Sequence, residues 1–190
     1  MGGIMSIILQ GSTSGSCTLQ EQAVAGTTVL TLPTVSGTVL TTASSGQSIP
    51  KAALPTGSVL QVVSTSSTTT TSTSSNTFVT AGISASITPT SSSSKILVTV
   101  SGGGMDTWQS TNNRISATVY RNSSTQIGGF TNVFGYSSRT IAPMAYQYLD
   151  SPATTSSTSY TVYFKSEGAY TVYMNSQSET LTITVMEIAA

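Results

Sequence analysis

The segment that decides the fold is Ile83-Ser84-Ala85-Ser86-Ile87-Thr88 (residues 83–88), in which apolar and hydroxyl side chains alternate without interruption. Strict alternation puts every second side chain on the same face of an extended strand. The same period recurs in five further triplets, namely Ile96, Val98 and Val100; Ile115, Ala117 and Val119; Tyr160, Val162 and Phe164; Tyr170, Val172 and Met174; and Leu181, Ile183 and Val185. We therefore predict strands that each bury one face in a common core.

Turn-forming residues separate these runs, and β-branched and aromatic residues outweigh helix formers, so the chain is predicted to be all-β. The turns are predicted at residues 89–94, 102–104, 122–124, 128–129, 150–159, 167–168 and 175–178, with the 102–104 glycines forming a turn or a bulge. Short strands at this spacing predict an antiparallel sandwich or barrel from about residue 59 to residue 188. Residues 64–75 are rich in serine and threonine but lack glycine and proline, which favours a loop or an edge strand over a flexible linker.

The chain before residue 59 has a different character. Residues 27–32 and 38–42 are predicted as two short strands around a Pro-Thr-Val-Ser-Gly turn, and residues 26–46 contain no charged side chain. Two short strands are marginally stable alone in water. We therefore expect this region to become ordered by pairing with copies of itself or with another protein.

The composition also favours association with other protein chains. Only 6% of the 190 residues are charged and the formal net charge is zero, against about 25% charged in an ordinary soluble domain. Such a surface favours association. The scattered cations make no basic stripe, so no nucleic-acid partner is expected. Residues 1–9 lack a basic flank and are too short to span a bilayer, so neither a signal peptide nor a membrane partner is expected.

The residue inventory argues against an enzyme. Histidine is absent and Cys17 is the single cysteine, which removes the commonest general base and the commonest zinc ligand. No metal site and no cofactor are expected. The Ser-x-x-Lys spacings at Ser48 with Lys51 and at Ser92 with Lys95 lack the supporting motifs of serine acyl-enzymes and are attributed to chance.

The acidic residues offer one alternative, a glycosidase with two facing carboxylates. The candidates are Asp106, Asp150, Glu167 and Glu179, all in or beside predicted loops. We expect each of them instead to cap a turn or to lie at a strand end, with Asp150 starting the turn at Ser151-Pro152. Glu187, on the last strand, is expected to pair with an arginine such as Arg121.

The aromatic residues leave a binding role open. Trp108 lies in the longest polar loop, where it either folds back onto the end of the sandwich or contacts a partner or a glycan. The other aromatics in this half are expected in the core or in an interface: Phe130, Phe134, Tyr136, Tyr146 and Tyr148.

Two stretches resemble proteins of tailed bacteriophages. Residues 11–20, 25–33 and 37–42 (GSTSGSCTLQ, AGTTVLTLP and GTVLTT) resemble a segment that recurs in their structural proteins. The second half resembles the jelly roll of the tumour necrosis factor and complement C1q type, in residues 94–98, 120–122, 127–128, 149–155, 160–163 and 183–188. The resemblance implies a homotrimer on the virion surface.

These two resemblances divide the chain into a docking and intertwining segment, residues 1–55, and a jelly-roll sandwich, residues 56–190. They imply a non-enzymatic virion protein, either a capsid decoration or cement protein bound to the major capsid protein, or a tail-fibre or receptor-binding protein that recognises host glycans. In a trimer, the uncharged ribbon 26–46 is expected to lie between subunits, because hydroxyls cost less to bury than charges. The expected assembly contacts are Val29, Leu30, Val39 and Leu40.

Overall fold

The computed structural model describes the backbone of Ser6–Gln10 and Ser16–Gln20, and residues 54–108, 113–136, 138–168 and 170–190. Contacts between Cα atoms divide the chain into two units, Met1–Gln47 and Ser48–Ala190. In the first unit, strands β1 (Ser6–Gln10) and β2 (Ser16–Gln20) form an antiparallel hairpin in which Leu9 lies opposite Cys17. The predicted strands 27–32 and 38–42, and with them Val29, Leu30, Val39 and Leu40, lie outside the described residues.

The second unit is a β-sandwich, as the alternation predicts. Its strands are β3 (Val59–Ser67), β4 (Thr71–Thr73), β5 (Val79–Ile87), β6 (Lys95–Asp106), β7 (Asn113–Arg121), β8 (Thr125–Gly135), β9 (Ile141–Asp150), β10 (Thr158–Ser166), β11 (Val172–Met174) and β12 (Leu181–Ile188). The first and last of these begin and end at the predicted residues 59 and 188. The residues described contain no helix.

Two antiparallel sheets form the layers. One has four strands in the order β5-β10-β7-β8, and the other has six, in which β3, β12, β6, β11 and β4 follow one another and β9 pairs with β6. Successive strands cross repeatedly from one sheet to the other, which is the connectivity of a jelly roll. The predicted edge-strand character of residues 64–75 is confirmed, because β3 and β4 are the two ends of the six-stranded order.

The core lies between the sheets and is made by the predicted alternating faces. Ile83, Ile96, Ile115, Phe164 and Ile183 are all at most 3% exposed. Tyr170 is the exception, since it is 49% exposed and precedes β11, which begins at Val172. The prediction that Tyr170 points inward is therefore wrong, and the inward residues there are Val172 and Met174.

The antiparallel strand pairing is irregular at two places where two glycines follow one another. At Gly102 and Gly103 the register of β6 with β9 shifts and both residues have positive φ, which confirms the predicted bulge. A turn was also expected at residues 128–129, but this prediction is wrong, because β8 continues from Thr125 to Gly135. The register shift between Ala117 and Val119 shows that β8 bulges there instead.

Candidate functional site

Part of the outer surface of the six-stranded sheet carries no charged side chain. Directly paired residues on antiparallel strands point to the same side of a sheet. Since Leu181, Ile183 and Val185 point into the core, Thr182, Thr184 and Met186 point outward. Their cross-strand partners on β3, β6 and β9 complete a grid of three rows of four, which we call the uncharged face.

Each row crosses all four strands. One row is apolar and consists of Val62, Met186, Leu97 and Leu149. The next consists of Ser64, Thr184, Thr99 and Gln147, and the third of Ser66, Thr182, Ser101 and Ala145. Val62 and Leu149, at the two ends of the apolar row, are 54% and 53% exposed.

The hydroxyls of this face bond to one another across the strands. The oxygens Ser64 Oγ and Thr184 Oγ1 are 2.8 Å apart, as are Ser66 Oγ and Thr182 Oγ1. The Thr99 hydroxyl donates to the Thr184 carbonyl oxygen at 3.3 Å. Because the hydroxyls already satisfy part of their bonding within the sheet, covering this face costs less than covering lysine or glutamate.

Several charged side chains of the described residues instead form ion pairs within the sandwich. Arg121 Nη1 lies 2.9 Å from Asp150 Oδ2, and the Tyr160 hydroxyl donates to the same oxygen at 2.8 Å. Asp150 is on the six-stranded sheet while Arg121 and Tyr160 are on the other, so the three residues join the layers. Burial, followed by the bond to Asp150, raises the pKa of Tyr160 above its ordinary value.

Asp150 ends β9 directly before the predicted turn, and its buried carboxylate is bound by Arg121 and Tyr160. The arrangement corrects the prediction for Glu187. Glu187 does not pair with Arg121. Its carboxylate accepts hydrogen bonds from Gln61 Nε2 at 2.6 Å and from the Thr90 amide and hydroxyl at 2.7 Å each.

The remaining candidate carboxylates lie near turns, as predicted. Asp106 accepts a hydrogen bond from the Trp108 amide at 2.8 Å, and Glu179 accepts one from the Gln177 amide at 2.9 Å. Glu167, just after β10, forms ion pairs of 3.0 Å with Arg114 and 3.1 Å with Lys165. Each of these carboxylates is therefore bound by neighbouring donors.

Trp108 lies at the end of the sandwich where β6, β8 and β10 finish, which we call the loop end. The Arg139 guanidinium lies 4.4 Å from the centre of the Trp108 ring, and the Tyr173 ring centre is 5.0 Å away. Arg139 Nε and Nη2 also donate to Asp106 at 2.6–3.0 Å. Trp108 thus packs on the end of the sandwich and still remains 44% exposed.

The aromatic residues divide between core and surface. Tyr146 packs against the core and its hydroxyl donates to the Ile127 carbonyl oxygen, while burial raises the Tyr146 pKa to about 12. The other four are exposed by 39–81%: Phe130, Phe134, Tyr136 and Tyr148. The sequence pattern did not single out Phe134 and Tyr136 as a site, although both line a groove at the loop end.

Within the described ranges, no group of three or more histidine, cysteine, aspartate or glutamate side chains is placed to hold a metal ion. The same residues include no helix with the length and apolar character needed to cross a membrane. No protein-family model and no curated protein matches this chain.

Proposed function

We propose that this chain is a non-enzymatic structural protein of a tailed-bacteriophage virion, a homotrimer that decorates and stabilises the capsid surface. The observation that carries the proposal is the uncharged face, because a soluble monomer gains nothing from a flat grid of hydroxyl and apolar side chains left in water. When a sister subunit covers this face, Val62 and Leu149 are removed from solvent. Burial of apolar surface contributes about 25 cal/mol for each Å².

The proposed trimer requires an interface that can close into a ring. A ring closes when the uncharged face of one subunit meets a different surface of the next, because each interface then has two unlike halves. The edge formed by β8 and β9 is a suitable second half, since it carries exposed aromatic residues such as Phe130 and Tyr148. The number three itself comes from the resemblance to trimeric jelly rolls.

The virion assignment rests on the resemblance in residues 11–42, and the major capsid protein is the partner that we propose for the segment 1–55. A protein that binds only the assembled shell stabilises the shell through linkage. The test is the copy number of this chain in purified particles, measured against the major capsid protein. Hundreds of copies per particle are expected, and a handful of copies at the tail would overturn capsid decoration.

A receptor-binding protein of the tail remains the second candidate, and Trp108 favours it. Its ring is held in place by Arg139 and Tyr173 but is 44% exposed, which is the character of a preorganised binding aromatic. The same copy-number measurement separates the two candidates, because a receptor-binding protein is present in few copies.

A further inference from the structure

We propose that a groove at the loop end binds an acidic saccharide, whose carboxylate is held by Arg114 and whose ring packs against Phe134 and Tyr136. Glu167 forms part of the wall of this groove. This site goes beyond capsid decoration. It also supplies a ligand class for the receptor-binding candidate.

The volume of this groove, about 360 Å³, limits the size of its ligand. A volume of 360 Å³ is at the lower end of the range for small-molecule sites, about 300–1,000 Å³. The size suits one or two sugar rings better than a folded partner.

Arg114 provides the main donor group of the groove. Its guanidinium lies 5.3 Å from the centre of the Phe134 ring, its cross-strand neighbour, and Nη2 is 3.0 Å from Glu167 Oε2. A guanidinium has five N–H donors in a planar fork. Among the described residues, the Arg114 side chain bonds only to Glu167, so most of its fork is available to a ligand carboxylate, which Arg binds in a bidentate manner.

The charges of the groove favour an acidic ligand over a neutral one. Arg114 and Lys165 both contact Glu167, which leaves one positive charge in excess in this cluster. The Glu167 oxygens are already bound by Ser116, Lys165 and Arg114, so Glu167 has little capacity to accept from sugar hydroxyls. The bond from Ser116 is the main reason that the pKa of Glu167 falls to about 2, which keeps this carboxylate ionised at neutral pH.

The aromatic side chains favour a saccharide over other acidic ligands. Phe134 and Tyr136 are 62% and 81% exposed although they line the same groove. Aromatic side chains combine a flat apolar face with, in tyrosine, a polar tip. That combination matches a pyranose ring, which has an apolar face of C–H groups and a rim of hydroxyls.

The test measures binding of the full-length protein to oligosaccharides of galacturonate, glucuronate and N-acetylneuraminate, each beside its carboxyl-reduced counterpart. The variants are Arg114→Gln, Arg114→Lys and Tyr136→Ala. Tyr148→Ala and Lys95→Gln serve as matched controls, because they remove an exposed ring and a positive charge that do not line the groove. Light scattering on the same samples reports assembly independently of binding.

We expect at least one acidic oligosaccharide to bind at least tenfold more tightly than its carboxyl-reduced form. Arg114→Gln should remove that preference, Arg114→Lys should reduce it, and Tyr136→Ala should weaken binding of both forms, while the two controls bind normally. Binding of no acidic saccharide, equal binding of the reduced forms, or equal losses in the controls would overturn the site. None of these results bears on the trimer, which the scattering measurement tests.

Discussion

Glu187 accepts two hydrogen bonds from a single residue, the amide and the hydroxyl of Thr90, each at 2.7 Å. Glu187 is fully buried at the end of β12, while Thr90 lies in the loop between β5 and β6. The carboxylate therefore ties this loop to the last strand. Burial alone would raise the pKa of Glu187, but the bonds from Thr90, Gln61 and Ser94 outweigh it and hold the pKa below its ordinary value.

Glu187→Gln should lower the free energy of unfolding by about 1–3 kcal/mol at pH 7, because buried donors lose a charged acceptor. A lowered carboxylate pKa stabilises the fold above the unfolded value of 4.5 and ceases to do so as the pH falls through the folded value. Urea unfolding from pH 7 down to pH 3 should show the variant and the unmodified protein converging in acid. A difference that stays constant with pH would contradict this role of the charge.

Arg139 positions Trp108, and the protein's single tryptophan makes this contact easy to observe. Arg139→Ala should expose the ring, shift its fluorescence to longer wavelength and increase quenching by acrylamide. It should also lower the free energy of unfolding, because buried Asp106 loses its cation. Arg114→Ala is the matched control, since Arg114 lies over Phe134, and its spectrum should not change.

Gly102 is required by the bulge in β6. Its φ is +84°, and a Cβ atom there would collide with the Thr180 carbonyl oxygen. Gly102→Ala should therefore lower the free energy of unfolding by about 1–3 kcal/mol, as measured by urea unfolding. Gly129→Ala is the control, because a Cβ at Gly129 meets open space. Equal stabilities of the two variants would contradict this explanation.

The sandwich could be predicted from the sequence because alternation directly reports which side chains face the core. Ile83, Val98 and Val185 lie where that period places them. The same period does not report which strands pair, so the uncharged face became visible only when β3, β12, β6 and β9 were known to be neighbours.

The predicted partner of Glu187 was wrong because its true partners are distant in the chain. Arg121 and Glu187 are both near strand ends, but the sequence could not show that Asp150 and Tyr160 surround the arginine while Thr90 and Gln61 surround the glutamate. The groove could not be predicted from the sequence for the same reason. Arg114 and Phe134 are twenty residues apart in the chain and become neighbours only through the pairing of β7 with β8.

The ribbon of residues 26–46 is expected to lie between subunits, so a charge there should oppose assembly. Val29→Lys and Val39→Lys should each lower the fraction of assembled protein, because burying an unpaired ammonium is unfavourable. Val29→Thr and Val39→Thr keep the shape without adding charge and should assemble normally. Size-exclusion chromatography with light scattering measures the fractions, and normal assembly of both lysine variants would show that the ribbon is exposed.

The central claim is that the uncharged face joins the subunits of a homotrimer, and the solution mass of two matched variants tests it most directly. Thr184→Lys places a charge in the middle row of that face, whereas Thr161→Lys places one on the outer side of the other sheet, opposite Ser84. The unmodified protein and Thr161→Lys should have three times the 19.5 kDa chain mass, while Thr184→Lys should dissociate. A monomeric unmodified protein, or a Thr184→Lys variant that assembles as well as Thr161→Lys, would contradict the claim.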